Sequence, residues 1–432
     1  MTTGTFGRAM LLPWLICGLG AVFYCYEFFL RITPGVITPE LMRAYDLTGS
    51  QVGNLSAFYY HAYVPMQIIV GLFMDRFGPR RLLTIACLLC AAGTYLFAGN
   101  LGLGWAQAGR FLVGFGSAFA FVGALKLATI WLPPNRFALI SGIITCLGML
   151  GAMMGDILLR QAINVLGWHH TIYISAGIGV VLAAILWLVI RDSSPDHPDH
   201  HLHVMDFKGL FAGLLLALRN PHIWLAAFIG FLLYLSLSAF AELWGIDYLE
   251  QAHGFSKDSA AYANSMIFLG WAIGSPLWGL LSDFMGKRIL PVTLGSLGAL
   301  IFVMILLYMP GLSVGAVYLV LFCFGILSSA QILVFAISHE ASKMKMAGTA
   351  IAMTNMIVMI GGNVFQPVIG KLLDHGWTGV LANGARIYPV HAYQVALSVM
   401  PIGILLAFIV SLFMREINPA LKAKPGLLAK TH

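Results

Sequence analysis

Gly71-Leu-Phe-Met-Asp75-Arg76-Phe-Gly78-Pro-Arg80 is a short polar turn set between long apolar runs, and the chain carries it twice. The second copy reads Gly279-Leu-Leu-Ser-Asp283-Phe-Met-Gly286-Lys287-Arg288. Asp75 and Asp283 stand 208 positions apart, and Gly71/Gly279, Gly78/Gly286 and Arg80/Arg288 keep that offset. Thr48 and Ser256 repeat it too, each preceding an apolar run as an N-cap, with Gln51 in the capping-box position after Thr48. A matched loop in two diverged halves of a very apolar chain points to a pseudo-symmetric membrane transporter.

The 432 residues are 59% hydrophobic and 9% charged, against roughly 25% charged in soluble domains. A soluble fold has no place for that much apolar surface, whereas a bilayer does. Apolar stretches of spanning length predict helices over 11–37, 51–74, 81–99, 105–131, 136–160, 170–190, 221–249, 258–282, 289–309, 313–338, 347–372 and 391–414. The predicted fold is therefore an all-α membrane protein with twelve transmembrane helices in two pseudo-symmetric six-helix halves. Its parts are an N-terminal bundle over 1–190, a cytoplasmic linker over 191–220, and a C-terminal bundle with a cytoplasmic tail over 221–432.

Basic residues orient it. With both termini inside, sixteen of the twenty-four lysines and arginines fall on the cytoplasmic side, five on the opposite side, and Arg31, Arg110 and Lys126 within spans. The positive-inside rule predicts N-in and C-in. The net charge of +7 is then a topology signal; basic loops separated by membrane form no phosphate-tracking stripe, so nucleic acid is not an expected partner. The first apolar run is too long for a cleaved leader and reads as a retained helix.

The linker Arg191-Asp-Ser-Ser-Pro-Asp-His-Pro-Asp-His-His-Leu-His203 carries two prolines and no apolar period. Its histidines, His197, His200, His201 and His203, with Asp196 and Asp199, could bind a transition metal, but they match no fixed zinc spacing, so the segment reads as a solvated linker and no metal is assigned. Val204 to Arg219 is mildly amphipathic and suits the inner membrane face. Cys87-Leu-Leu-Cys90 sits mid-helix and reads as two small packing residues. No cofactor motif and no Walker loop with Gly-Lys-Ser/Thr occurs, so neither cis ATP drive nor an enzyme is expected.

The G-x-x-x-D-R-x-G-x-R form of the first turn resembles the loop after the second helix in the major facilitator superfamily, and Asp283 to Arg288 resembles its echo after the eighth. The resemblance implies that Asp75, Arg76, Arg80, Asp283 and Arg288 work as a conformational switch that clamps the halves at the cytoplasmic side. The stretch from Gly348 through Asn355, Gly361-Gly362-Asn363 and Gln366-Pro367 to Gly370 looks like the family's eleventh helix.

Ionisable groups within spans are costly and so are functional candidates. Glu27 and Arg31 lie four residues apart on one helix face. A guanidinium there offers a two-pronged seat for a carboxylate or phosphate, although the pair could also serve only to neutralise itself. The segment Tyr24-Cys-Tyr26-Glu27-Phe-Phe-Leu-Arg31-Ile-Thr-Pro34 resembles the first helix of facilitators that carry organic anions. Tyr59, Tyr60, His61 and Tyr63 surround the midplane of the second helix, where His61 is either a titrating group or a helix contact. Arg110, ahead of Gly114 and Gly116, resembles a facilitator motif whose arginine is tied to proton coupling or to an acidic partner. Gly151 and Gly155 permit close helix packing, and Gly155-Asp156 stands where drug antiporters carry Gly-Pro. Asp156 is thus a proton site or an Arg110 partner.

Glu242 is the clearest buried acid of the second half. The expected proton-coupling set is Glu27, His61, Arg110, Asp156 and Glu242. The expected substrate set is Arg31, Tyr24, Tyr60, Asn264, Gln331 and Asn363.

These residues suit a monomeric secondary transporter of the bacterial inner membrane. It would move a small polar organic solute by alternating access, coupled to protons or sodium, with an amino acid or related zwitterion or anion favoured. Tyr-Glu-Phe-Phe-Leu-Arg31 and the Gly116-to-Gly123 run look like the phagosomal-transporter subgroup, associated with amino-acid and nucleoside uptake. The rivals are an organic-anion or nucleoside carrier and a transporter-like solute sensor.

Overall fold

A computed structural model describes residues 3–99, 101–133, 136–193, 207–342 and 347–416. Among these, twelve helices are long and apolar enough to cross a bilayer. Spans 1 to 6 are Leu12–Arg31, Gly49–Phe77, Pro79–Ala98, Leu103–Trp131, Leu139–Leu166 and Trp168–Val189. Spans 7 to 12 are Pro221–His253, Lys257–Met285, Ile289–Tyr308, Val314–Ala341, Gly348–His375 and Val390–Phe413. Large apolar side chains such as Leu280, Ile301 and Ile402 face outward around the bundle, as a lipid-facing surface requires. The chain is a multi-pass integral membrane protein.

The expected helices all form, with shifted ends. Span 1 stops at Arg31 instead of continuing to 37, because Pro34 lacks the N–H that would close the next turn. Two short helices follow, Thr33–Val36 and Thr38–Tyr45. Thr48 caps span 2 with a complete capping box through Gln51, and Ser256 caps span 8 through the amide of Ser259.

Packing repeats between the halves. Span 1 packs on spans 4 and 5 and span 7 on spans 10 and 11; spans 3 and 6 pair as spans 9 and 12 do. The halves meet along spans 2 and 11 and along spans 5 and 8. Helices in lipid gain little from apolar contact alone, so close backbone approach matters. At Gly151 a Cβ would sit 2.1 Å from the Cys25 carbonyl oxygen, and at Gly53 it would sit 2.3 Å from that of Gln366. Cys87 and Cys90 pack against Gly179 and Val113, as small side chains on a helix contact.

With twelve spans, the start of span 1 and the end of span 12 lie on one face, here the terminal face; the other is the far face. Asp75 and Asp283 close spans 2 and 8 on the terminal face, as the repeat requires. A helix over Phe207–Leu218 joins the halves and packs on span 11, where Ala217 meets Ala350 and Met353. The histidine-rich segment lies outside the described residues.

Candidate functional site

Three spans are broken locally. Span 7 opens into a π-helical stretch over Ser236–Trp244, span 10 tightens into a 3-10 turn over Ser329–Ile332, and span 5 carries a π-turn over Gly155–Leu159. Such irregular backbone survives in a membrane only inside protein or beside a cavity, and it concentrates at functional sites.

Arg31 is the hub. Its Nη2 donates to both Glu27 oxygens at 2.9 and 3.2 Å, and Nη1 donates to the Tyr234 hydroxyl at 3.1 Å. Nη1 also stands 3.9 Å from Glu242 Oε1, across the two halves of the chain. The guanidinium lies over the Phe28 ring at 4.1 Å and over Tyr59 and Tyr63 at 5.1 Å each. Its Nε has no partner. Tyr59 donates to Glu27 Oε2 at 3.0 Å, and Tyr60 donates to Glu242 Oε2. Glu27, Arg31 and Glu242 are buried, so these hydrogen bonds and ion pairs are what make their charges tolerable. Tyr234 was not foreseen: a lone tyrosine in an apolar run gives no signal until the halves are brought together.

Arg110 has a different office. Pro34 leaves the Leu30 carbonyl without its helical donor, and the Gly35 amide bonds Ile32 instead of Arg31. Arg110 donates Nη1 to the Leu30 carbonyl at 3.0 Å and Nη2 to the Arg31 carbonyl at 3.2 Å, finishing the end of span 1. It pairs with no acid among the described contacts. Asp156 accepts instead from Asn264 Nδ2 of span 8 at 2.7 Å.

The other expected residues distribute around this core. Tyr24 packs edge-on to Phe28 one turn below Glu27, and Gln331 is buried in the 3-10 turn of span 10. Asn363 presents a buried, unpartnered Oδ1 from span 11. His61 does not join them: its side chain is exposed on the outside of span 2, against Phe58. Helical spacing alone left its facing open, because core and lipid are both apolar.

At the terminal face, Asp75 pairs with Lys126 of span 4. Arg80 donates its amide to Asp192 at 2.8 Å and lies over the Trp187 ring, while Arg76 is exposed beside Phe77. Arg288 holds Asp283 and Glu340, the latter at 2.9 Å. Burial pulls the Arg288 guanidinium down, but these two acids outweigh it and hold it above the ordinary arginine value. Each of these contacts stays within its own half; none clamps one half to the other.

The clamps lie at the far face. Asp374 of span 11 accepts from the amides of Gly49 and Ser50 at 2.9 and 2.8 Å, capping the start of span 2 from the other half. Glu40 draws in Lys257 at 3.4 Å, and Arg160 reaches Asp258 at 3.4 Å. The far face is shut.

The sequence pattern of the Major Facilitator Superfamily matches residues 17–366. The probable sulfoacetate transporter SauU of Cupriavidus necator is 24% identical over 379 residues, covering 83% of this chain and 87% of that one. The membrane sensor protein UhpC of Salmonella typhimurium is 25% identical over 397 residues, covering 83% and 85%. A solved bacterial homolog of the human lysosomal transporter Spinster, in an inward-facing and unoccupied conformation, shares the fold at a TM-score of 0.75 and 19% identity. That match covers 93% of this chain and 96% of its own.

Proposed function

The chain belongs to the major facilitator superfamily, and on that premise we propose that it is a secondary active transporter carrying a small organic anion by alternating access. One observation carries the reading: the buried Arg31 guanidinium is held between carboxylates from both halves, Glu27 and Glu242. An arginine so placed can exchange a protein carboxylate for a substrate carboxylate or sulfonate while keeping its two-pronged geometry. Tyr60 and Tyr234 then have hydroxyls to turn toward the ligand, and Gln331 and Asn363 offer amides from spans 10 and 11.

An organic anion stands ahead of the amino acid expected from the sequence for two reasons. The sulfoacetate carrier among the relatives handles a small organic acid, and both charges that face Arg31 are acids that an incoming anion must displace. That displacement supplies proton coupling. An anion cannot enter beside two ionised carboxylates, so protonation of Glu242 or Glu27 must accompany binding. The protein is then a symporter.

In this reading the terminal face is cytoplasmic, the bundles are 1–190 and 221–432 with 191–220 between them, and the membrane is a bacterial inner membrane. The far-face contacts between the halves hold that side closed, and the Asp75–Lys126 and Asp283–Arg288 pairs are switch elements waiting in their own halves. A sensor, as UhpC's name suggests for that relative, would use the same seat without moving its ligand.

Purified protein heated with sulfoacetate, dicarboxylic sugar acids, amino acids and nucleosides tests the substrate class. An organic acid should raise the transition by mass action in wild type and not in Arg31→Lys. Stabilisation by amino acids alone would contradict it.

A further inference from the structure

We propose that Asp156 and Asn264 form a proton-binding site at the seam between the halves, separate from the Arg31 seat and occupied while the far face is shut. The inference rests on the transport reading only for its purpose; the site itself stands on geometry.

Asp156 lies on the π-turn of span 5 and is buried. Its Oδ2 accepts the one hydrogen bond from Asn264, whose Nδ2 also donates to the Ala241 carbonyl at 2.8 Å. Asp156 Oδ1 and Asn264 Oδ1 are both buried and without a partner. Every charged group on the surrounding elements is engaged elsewhere. Arg160, one turn along, serves Asn164, Glu40 and Asp258; Lys257 serves Glu40; Arg31 serves Glu27 and Glu242. Asp247, on the far end of span 7, is an acid and offers no compensation. An ionised carboxylate here would sit in the interior with a single amide donor, which is costly, whereas the neutral acid asks for little. Sodium is the poorer occupant, because hard cations take several oxygen ligands and this pair brings two free ones.

The two members come from opposite halves, so the site is assembled only when spans 5 and 8 are together. Separation at the far face removes Asn264, admits water and lets Asp156 release its proton to that side. Reclosure requires the proton back. Proton occupancy is thereby tied to the closed far face, so that the pH on that side biases its opening, while the net proton of the transport cycle is carried at the Arg31 seat.

The test is infrared spectroscopy of the purified full-length protein in lipid, reading the carbonyl stretch of buried neutral carboxylic acids at neutral pH. Wild type should show a band that Asp156→Asn removes and that survives Glu27→Gln and Glu242→Gln. Asn264→Ala, which keeps the acid and takes away its partner, should shift the band. An unchanged band in both Asp156→Asn and Asn264→Ala would overturn the proposal. So would a wild-type band that vanishes when sodium is added at constant pH. Neither result depends on a substrate, so the transport reading can stand or fall apart from this site.

Discussion

Arg110 supplies the hydrogen bond that Pro34 cannot. The proline leaves the Leu30 carbonyl open at the end of span 1, and the arginine of span 4 closes it at 3.0 Å. The helix that presents Glu27 and Arg31 is therefore finished by another helix, and its seat is fixed by that join.

Arg110→Ala should accordingly act on stability before chemistry. Two buried carbonyls lose their donor, at about 2–4 kcal/mol together. In a Pro34→Ala background the Leu30 carbonyl regains a helical amide, so the cost of Arg110→Ala should fall by about 1 kcal/mol. Unfolding in a mild detergent series measures all four variants; strict additivity would show that the two residues are not linked in this way.

Asp374 is expected to hold the far face shut. Its carboxylate meets two amides at the start of span 2, and a charged cap of that kind contributes about 1–2 kcal/mol. Asp374→Asn should shift the population toward an open far face. A single cysteine at Ser56, buried in span 2, placed in a background without the native cysteines, should then react faster with a membrane-impermeant maleimide from that side. Equal rates would remove Asp374 from the gate.

Asp75 should matter for rate more than for affinity. Its pair with Lys126 lies at the terminal face, away from the Arg31 seat. Asp75→Asn is expected to slow transport about tenfold or more while leaving ligand-induced thermal shifts unchanged. The exchanged pair Asp75→Lys/Lys126→Asp should recover part of the rate, which a role for Asp75 alone would not allow.

Much of this was legible before any coordinates. Twelve apolar runs, the repeated Asp75 and Asp283 turns and the Thr48 and Ser256 caps follow from hydropathy and spacing, and the i, i+4 relation of Glu27 and Arg31 needs only helical geometry. What stayed hidden depends on long-range contact. Tyr234 and Glu242 reach Arg31 from more than two hundred residues away, the Asp156–Asn264 contact needs spans 5 and 8 side by side, and Arg110's role appears only beside the gap at Pro34. His61 failed for another reason: a polar residue on an apolar helix has no sequence mark that tells lipid side from core side. The end of span 1 moved because Pro34 breaks a helix that composition reads as continuous.

The most direct test of the central claim is accumulation. Wild-type protein reconstituted into liposomes, with a pH gradient acid on the far-face side, should concentrate radiolabelled sulfoacetate or a related small organic acid above its external level. A protonophore should abolish the excess, and Arg31→Lys should carry none. Binding of the acid without accumulation would mark a sensor, and undiminished accumulation by Arg31→Lys would contradict the seat assigned to that residue.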